Sequence, residues 1–145
     1  MNVSEVMTAD PACCTADTPL PEVAKMMVEC DCGAIPVVES QDSKKPVGMI
    51  TDRDITIRTV AEGKNPLDLT ASDAMTENVM TVTPETSLEE CCNLMEEQQI
   101  RRVVVVDGNG SCCGMIAQAD IAVNADSRKT AEVVQEVSRG AGSSA

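Results

Sequence analysis

The chain has no phenylalanine, tyrosine, tryptophan or histidine. Without rings there is nothing on which a base can stack, which excludes the aromatic platforms of single-strand nucleic-acid binders. Its eight cysteines include no Cys-x-x-Cys, and with histidine also missing the usual structural zinc patterns are absent. No nucleophile–base pair, Walker loop or metal set is present, so the chain reads as a non-enzyme with no required cofactor. Positive charge is scarce, at 11 Lys and Arg against 24 Asp and Glu, a net charge of −13. A duplex or an anionic membrane repels such a chain, so neither nucleic acid nor membrane is expected as a partner. No apolar run approaches the roughly 20 residues of a membrane span. The opening MNVSEVMTADPA has neither the basic nor the apolar region of a signal peptide, and the expected compartment is the cytoplasm.

What is present is an ordinary globular composition over 145 residues, 43% hydrophobic, drawn from Val, Ile, Leu, Ala, Met and Cys. The cysteines fall as Cys13-Cys14, Cys30-x-Cys32, Cys91-Cys92 and Cys112-Cys113. Adjacent residues on a strand point to opposite faces, so such a pair does not clamp one ion. The expectation is that all eight are reduced and serve as small buried hydrophobes. A thiol redox sensor on Cys13-Cys14 and Cys112-Cys113 is the alternative.

The chain is one unit written twice. Val6-Met7-Thr8 aligns with Ala74-Met75-Thr76 at an offset of 68, and the register holds through Thr15/Thr83, Leu20/Leu88, Met27/Met95 and Val37-Val38/Val105-Val106. The offset then becomes 66, aligning Gly48-Met49-Ile50 with Gly114-Met115-Ile116 and Asp54-Ile55 with Asp120-Ile121. The two-residue change lies in the polar segment Ser40–Lys45, a surface turn where length changes cost little.

Each copy reads as strand, helix, strand, strand, helix. Short strands are expected at Ala12–Thr15 and Val79–Thr83. Thr18 is placed to cap the first long helix, with Pro19 at its first position, and Ser87–Glu90 fits a capping box for the second. Val23, Met26, Met27 and Cys30, and then Leu88, Cys91, Cys92 and Met95, recur at helical spacing as core stripes. The β-branched runs Ala34–Val38 and Arg102–Val106 predict buried strands. Pro36 has no N–H to give a ladder and is expected at a strand start or an unpaired edge. Further strands are expected at Pro46–Thr51 and Cys112–Ala117, and closing helices at about 52–61 and 119–124. Gly63–Pro66 separates the copies. The expected domains are residues 1–66, 67–126, and 127–145, the last a short helix with a flexible tail. A copy of roughly sixty residues without aromatics or metal has a marginal core, so the two copies are expected to bury their sheet faces together about a pseudo-twofold axis.

The order β-α-β-β-α, the Val/Ala-Met-Thr openings, the Ile-Pro-Val-Val strand and the segment Gly-Met-Ile-Thr-Asp-Arg-Asp together resemble CBS domains, and the tandem resembles a Bateman module. The resemblance spans residues 1 to about 125 and implies an α/β (α+β) fold of two repeats packed sheet to sheet. It also implies a regulatory ligand bearing adenosine (AMP, ADP, ATP, S-adenosylmethionine or NAD) in the inter-repeat cleft. Asp54 would accept from the ribose hydroxyls and Thr51 would donate to ribose or phosphate, with Arg53 a phosphate candidate beside Arg58, Arg101 and Arg102. Cys14, Thr15, Ala34, Ile35 and Pro36 would wall the base. In the second copy the walls are Val82, Thr83, Arg102, Val103 and Val104, with Asp120 retained. There Ala117 replaces the hydroxyl residue, and a donor lost to a charged group costs about 1.5–3 kcal/mol, so the second site is expected to be weak or empty. Output would pass through a homodimer or an unknown protein target, or the chain would be a purely structural interaction module.

Overall fold

The computed structural model describes residues 1–124. The helix and tail expected within 127–145 lie outside the described residues. In chain order the elements are β1 (Thr8–Ala9), β2 (Cys14–Thr15), α1 (Leu20–Cys30), β3 (Ala34–Val38), β4 (Pro46–Thr51) and α2 (Asp52–Arg58). The second copy supplies β5 (Thr81–Val82), α3 (Leu88–Gln98), β6 (Arg102–Val106), β7 (Cys112–Ala117) and α4 (Gln118–Asn124). The fold is mixed α and β, as the repeat implies, and the two longer strands of each copy have the expected bounds.

The chain divides into two compact units, and each exchanges its leading segment with the other copy. One unit is Pro11–Val79 with Gly110–Cys112; the other, among the described residues, is Met1–Asp10, Met80–Asn109 and Cys113–Asn124. In the first-copy unit the sheet runs β2-β3-β4, and Thr76 bridges Met49 of β4 through two backbone hydrogen bonds, each of 2.9 Å. In the second-copy unit the sheet runs β1-β7-β6-β5, and Thr8 of β1 stands opposite Met115. The two Met-Thr openings therefore do the same work, each on the copy that it does not precede in sequence.

The same segments start the long helices. The expected Thr18 cap is not made: Pro19 is the N-cap residue of α1, and the N–H of Leu20 donates to Leu69 O at 2.9 Å. Thr18 instead accepts from the N–H of Thr15 at 3.0 Å and shapes the turn after β2. Leu88, the equivalent of Leu20, donates to Met1 O at 3.0 Å, while Ser87 Oγ accepts from Glu90 N–H at 3.1 Å. A helix start leaves its first N–H groups unsatisfied, and a neighbouring segment supplies a carbonyl to each, alone at α1 and beside the Ser87 side chain at α3.

Pro36 is also not where its missing donor suggested. It is buried mid-way along β3, the central strand. It stands opposite Met49, whose N–H and C=O both bond to Thr76 on the other side. Pro36 and Met49 are therefore a pair that exchanges no hydrogen bonds, and an N–H at Pro36 would have pointed away from β4. On the β2 side the parallel pairing begins only at Cys14 with Val37. The β4 side of the ladder therefore asks nothing of residue 36, whereas its equivalent Val104 in the second copy donates to Met80 O at 3.3 Å on the other side.

Two equivalent cores result. Leu20, Val23, Met27, Ile35, Val37 and Ile50 cluster in the first-copy unit, and Leu88, Cys91, Met95, Val103, Val105 and Ile116 in the second. Ala71 and Val3, from the exchanged segments, fill equivalent places beneath α1 and α3. Gly48 permits the close approach of its exchanged strand, since a Cβ there would lie 2.8 Å from Thr76 O and 3.1 Å from Met75 Sδ. Gly114 faces Met7 and Thr8 in the same way. Gly48→Ala is expected to lower the unfolding free energy by about 1–3 kcal/mol through overpacking against backbone, measured by urea denaturation, whereas Gly108→Ala, with open space around it, leaves the midpoint near wild type.

Candidate functional site

Strand alternation divides the expected site residues into two sets. Cys14 pairs with Val37 and Ile35 with Ile50, and all four side chains lie in the core beneath α1. Thr15 pairs with Val38, Ala34 with Thr51 and Pro36 with Met49, and these occupy the opposite face. Cys14 and Ile35, expected as walls, can thus offer a ligand only their backbone groups. Thr15, Ala34, Pro36 and Thr51 share one face, and so does Met49. Sequence reasoning missed Met49, although counting back two residues from Thr51 finds it.

Thr51 and Asp54 meet at the junction of β4 and α2. Thr51 is the N-cap residue: its Oγ1 accepts from Asp54 N–H at 3.0 Å, and Asp54 Oδ2 accepts from Thr51 N–H at 3.0 Å. This reciprocal capping box fixes both side chains half-buried at the strand end. It occupies Oδ2 of the carboxylate and a lone pair of the hydroxyl. A second carboxylate oxygen remains as an acceptor and the threonine proton as a donor. Ala34, directly opposite Thr51, places no bulk beside them.

The second copy keeps half of this arrangement. Asp120 Oδ2 accepts from Ala117 N–H at 2.8 Å, but Ala117 has no hydroxyl to return the bond. Arg102 stands where the first copy has Ala34 and is half-buried. Val104 lies on that same face through its register with Thr81, whereas Val103 and Val82 pack with the core. Thr83 bonds to Thr86, as Thr15 does to Thr18, so both hydroxyls belong to turns.

The arginines differ in availability. Arg53 is exposed on the first turn of α2. Arg58 is committed elsewhere: its Nη1 donates to Met75 O at 2.7 Å, tying down the exchanged strand. The carbonyl of Arg101 accepts from Gln118 N–H at 2.8 Å, and its Nε is buried with no acceptor among the described residues.

The cysteines are not uniform. Burial pushes the Cys14 thiol from its ordinary 9.0 to about 11, with a smaller upward push from the Glu22 carboxylate, against a lowering by its own backbone hydrogen bond. Burial, and then the neighbouring Cys92, push Cys91 to about 12. Both stay protonated as the small apolar groups expected. Cys13 Sγ lies 4.0 Å from Cys112 Sγ. The expectation of eight reduced thiols fails at Cys30 and Cys32, which form a disulfide across the end of α1. The helix turn brings them within bonding reach, a proximity that the one-residue spacing alone did not reveal. Among the described residues no group of three or more Cys, Asp or Glu could hold a metal ion. No helix among the described residues is long and apolar enough to cross a membrane.

The chain is thus a duplicated β-α-β-β-α pair with a carboxylate at each strand-to-helix junction and a hydroxyl beside it in the first copy. The family model of the CBS domain matches residues 3–58 and 71–125, and the chain belongs to that family. CBS domain-containing protein YhcV of Bacillus subtilis is 38% identical over 130 residues, covering 90% of this chain and 89% of its own length. The crystal structure of Hypoxic Response Protein I with two coordinated zinc ions superposes with a TM-score of 0.75 at 32% identity, over 87% of this chain and 100% of that one. The CBS domain pair of protein MJ0100, in complex with 5′-methylthioadenosine and S-adenosyl-L-methionine, superposes with a TM-score of 0.75 at 25% identity, over 85% of this chain and 98% of that one.

Two outcomes are expected from these geometries. Thr51→Ala, which breaks the complete box, should cost about 1 kcal/mol in urea unfolding, and Ala117→Thr should recover about half that or more by completing the second box. The two buried thiols hold their protons more tightly in the folded than in the unfolded chain. Stability is therefore undiminished below pH 9 and falls as pH rises from 9 through about 11 for Cys14 and about 12 for Cys91. Between pH 9 and 10.5 the loss should approach about 1 kcal/mol per pH unit for each thiol, and Cys14→Ala or Cys91→Ala should each flatten the slope.

Proposed function

We propose that this chain is a ligand-sensing module that binds an adenosine-containing compound at Thr51 and Asp54 of the first copy. The observation that carries this reading is the capping box, which holds a carboxylate and a hydroxyl still while leaving an acceptor and a donor unused. A carboxylate oxygen suits the vicinal hydroxyls of a ribose, and charged acceptors make the stronger hydrogen bonds. Thr15, Ala34, Pro36 and Met49 supply a mostly aliphatic wall on the same face, and the backbone beside Ile35 supplies polar groups for a base edge. Arg53, exposed one residue before Asp54, is the cation within reach of a phosphate.

The relative MJ0100, whose CBS pair is described with 5′-methylthioadenosine and S-adenosyl-L-methionine, supports an adenosine ligand over other small molecules. AMP, ADP, ATP, S-adenosylmethionine and NAD share that moiety. The second-copy site is the weaker one, because Ala117 lacks the donor and Arg102 fills the place of Ala34. Binding regulates rather than catalyses, and the signal passes through a homodimer or a protein target in the cytoplasm. The ligand is regulatory, and no cofactor is required.

Calorimetric titration with AMP, ATP, S-adenosylmethionine, 5′-methylthioadenosine and NAD tests this. At least one should bind with a stoichiometry of one per chain. Asp54→Ala should weaken it by roughly ten- to hundredfold, while Asp120→Ala leaves it within about twofold. Absence of heat with all five, or two equal sites, would overturn the proposal.

A further inference from the structure

We propose that Cys30 and Cys32 form a reversible dithiol–disulfide site that exchanges with small-molecule thiols. The pair closes the C-terminal end of α1, where Asp31 adopts φ 51 and ψ 52. The second copy provides an internal control. Gln99, the equivalent of Asp31, adopts φ 52 and ψ 49 at the end of α3. Cys32 N–H donates to Met27 O at 3.0 Å, and its equivalent Ile100 N–H donates to Met95 O at 3.1 Å. Gln98 and Ile100, which carry no sulfur, hold the same left-handed cap. The backbone thus presents residues 30 and 32 to each other whether or not a bond joins them. Their Cα atoms lie 5.4 Å apart, inside the span a disulfide needs.

A bond between groups that the helix end already juxtaposes is not required to hold the fold, and it opens and closes without rearrangement. Access supports the same conclusion. Cys30 is exposed and Cys32 half-buried, unlike the sealed thiols Cys14 and Cys91. Exposed disulfides are the ones that exchange, whereas buried structural ones resist. An external thiolate attacks Cys30 Sγ and the Cys32 sulfur leaves as thiolate. A second external thiolate then attacks the sulfur of the first, releasing Cys30 as thiolate. The disulfide gains two electrons and the two small thiols lose them as their own disulfide. The protons of those thiols end on Cys30 and Cys32, and the low-molecular-weight disulfide reverses the reaction.

Trypsin cleavage after Lys25 and Lys44 releases a peptide in which Cys30 and Cys32 are the sole cysteines. The full chain is equilibrated in reduced and oxidised glutathione, blocked with N-ethylmaleimide and digested, and the peptide is weighed. The doubly blocked fraction should climb from under a tenth to over nine tenths across roughly a hundredfold change in the glutathione ratio, from either starting state. The far-ultraviolet circular dichroism should stay unchanged throughout. Cys32→Ser should trap glutathione on Cys30. A peptide locked oxidised or locked reduced across the whole series, loss of helical signal on reduction, or no glutathione on Cys30 in the Cys32→Ser chain would each overturn the proposal.

Discussion

The backbone pairing of Met49 with Thr76 governs more of this molecule than any side-chain contact does. By taking both polar groups of Met49, it turns the β4 backbone at that residue away from β3. That is the condition under which Pro36 can sit in a central strand. It demands glycine at position 48, because Thr76 O comes too close for a Cβ. It brings Met75 against the core and gives Arg58 a carbonyl to hold. The same exchanged segment, through Leu69 O, starts α1. Two residues beyond Met49 the strand ends at Thr51, so the candidate site inherits its position from this pairing.

The exchange has a consequence for cooperativity. Neither unit can be completed from one contiguous copy: the first-copy core includes Ala71 and Ala74, and the second-copy core includes Val3. The repeat seen in sequence and the unit seen in space are offset by one leading segment. A core of about this size with no aromatic ring has little stability to spare, so a strand and a helix cap borrowed from across the sequence matter more than they would in a larger domain.

Much of this was legible from residue order alone. The runs Ala34–Val38 and Arg102–Val106, and the following strands at Pro46–Thr51 and Cys112–Ala117, end where β-branched and glycine patterning put them. The junction of Thr51 and Asp54 was also visible, because strand-to-helix boundaries carry their own capping signature. Other features were not. A periodic offset tells which segments are equivalent but not which copy each packs upon. That is why residues 1–10 and 67–79 changed places and why Thr18 lost the cap assigned to it. Residues contiguous in sequence do not share a wall, because strand alternation sends Cys14 and Ile35 to the core. Pro36, expected at a strand start or an unpaired edge, sits mid-strand because Met49 asks no bond of it and the pairing with β2 begins only one residue later, at Val37.

The cysteines show how far composition can be trusted. Cys91 occupies the place of Val23, and its pKa near 12 marks it as a valine substitute with a proton that it does not release. That supports reading cysteine as a small hydrophobe wherever a helix stripe calls for one. The reading fails at the end of α1 for a physical reason. Cys30 lies on the stripe by spacing but at the helix terminus by position, where the chain turns back through a left-handed residue and exposes it. The equivalent residues at the end of α3 are Gln98, which is exposed, and Ile100, which packs against the second core, and neither carries sulfur. What decides the chemistry of a cysteine here is therefore whether it faces the sheet or the helix end, and periodicity alone does not separate the two.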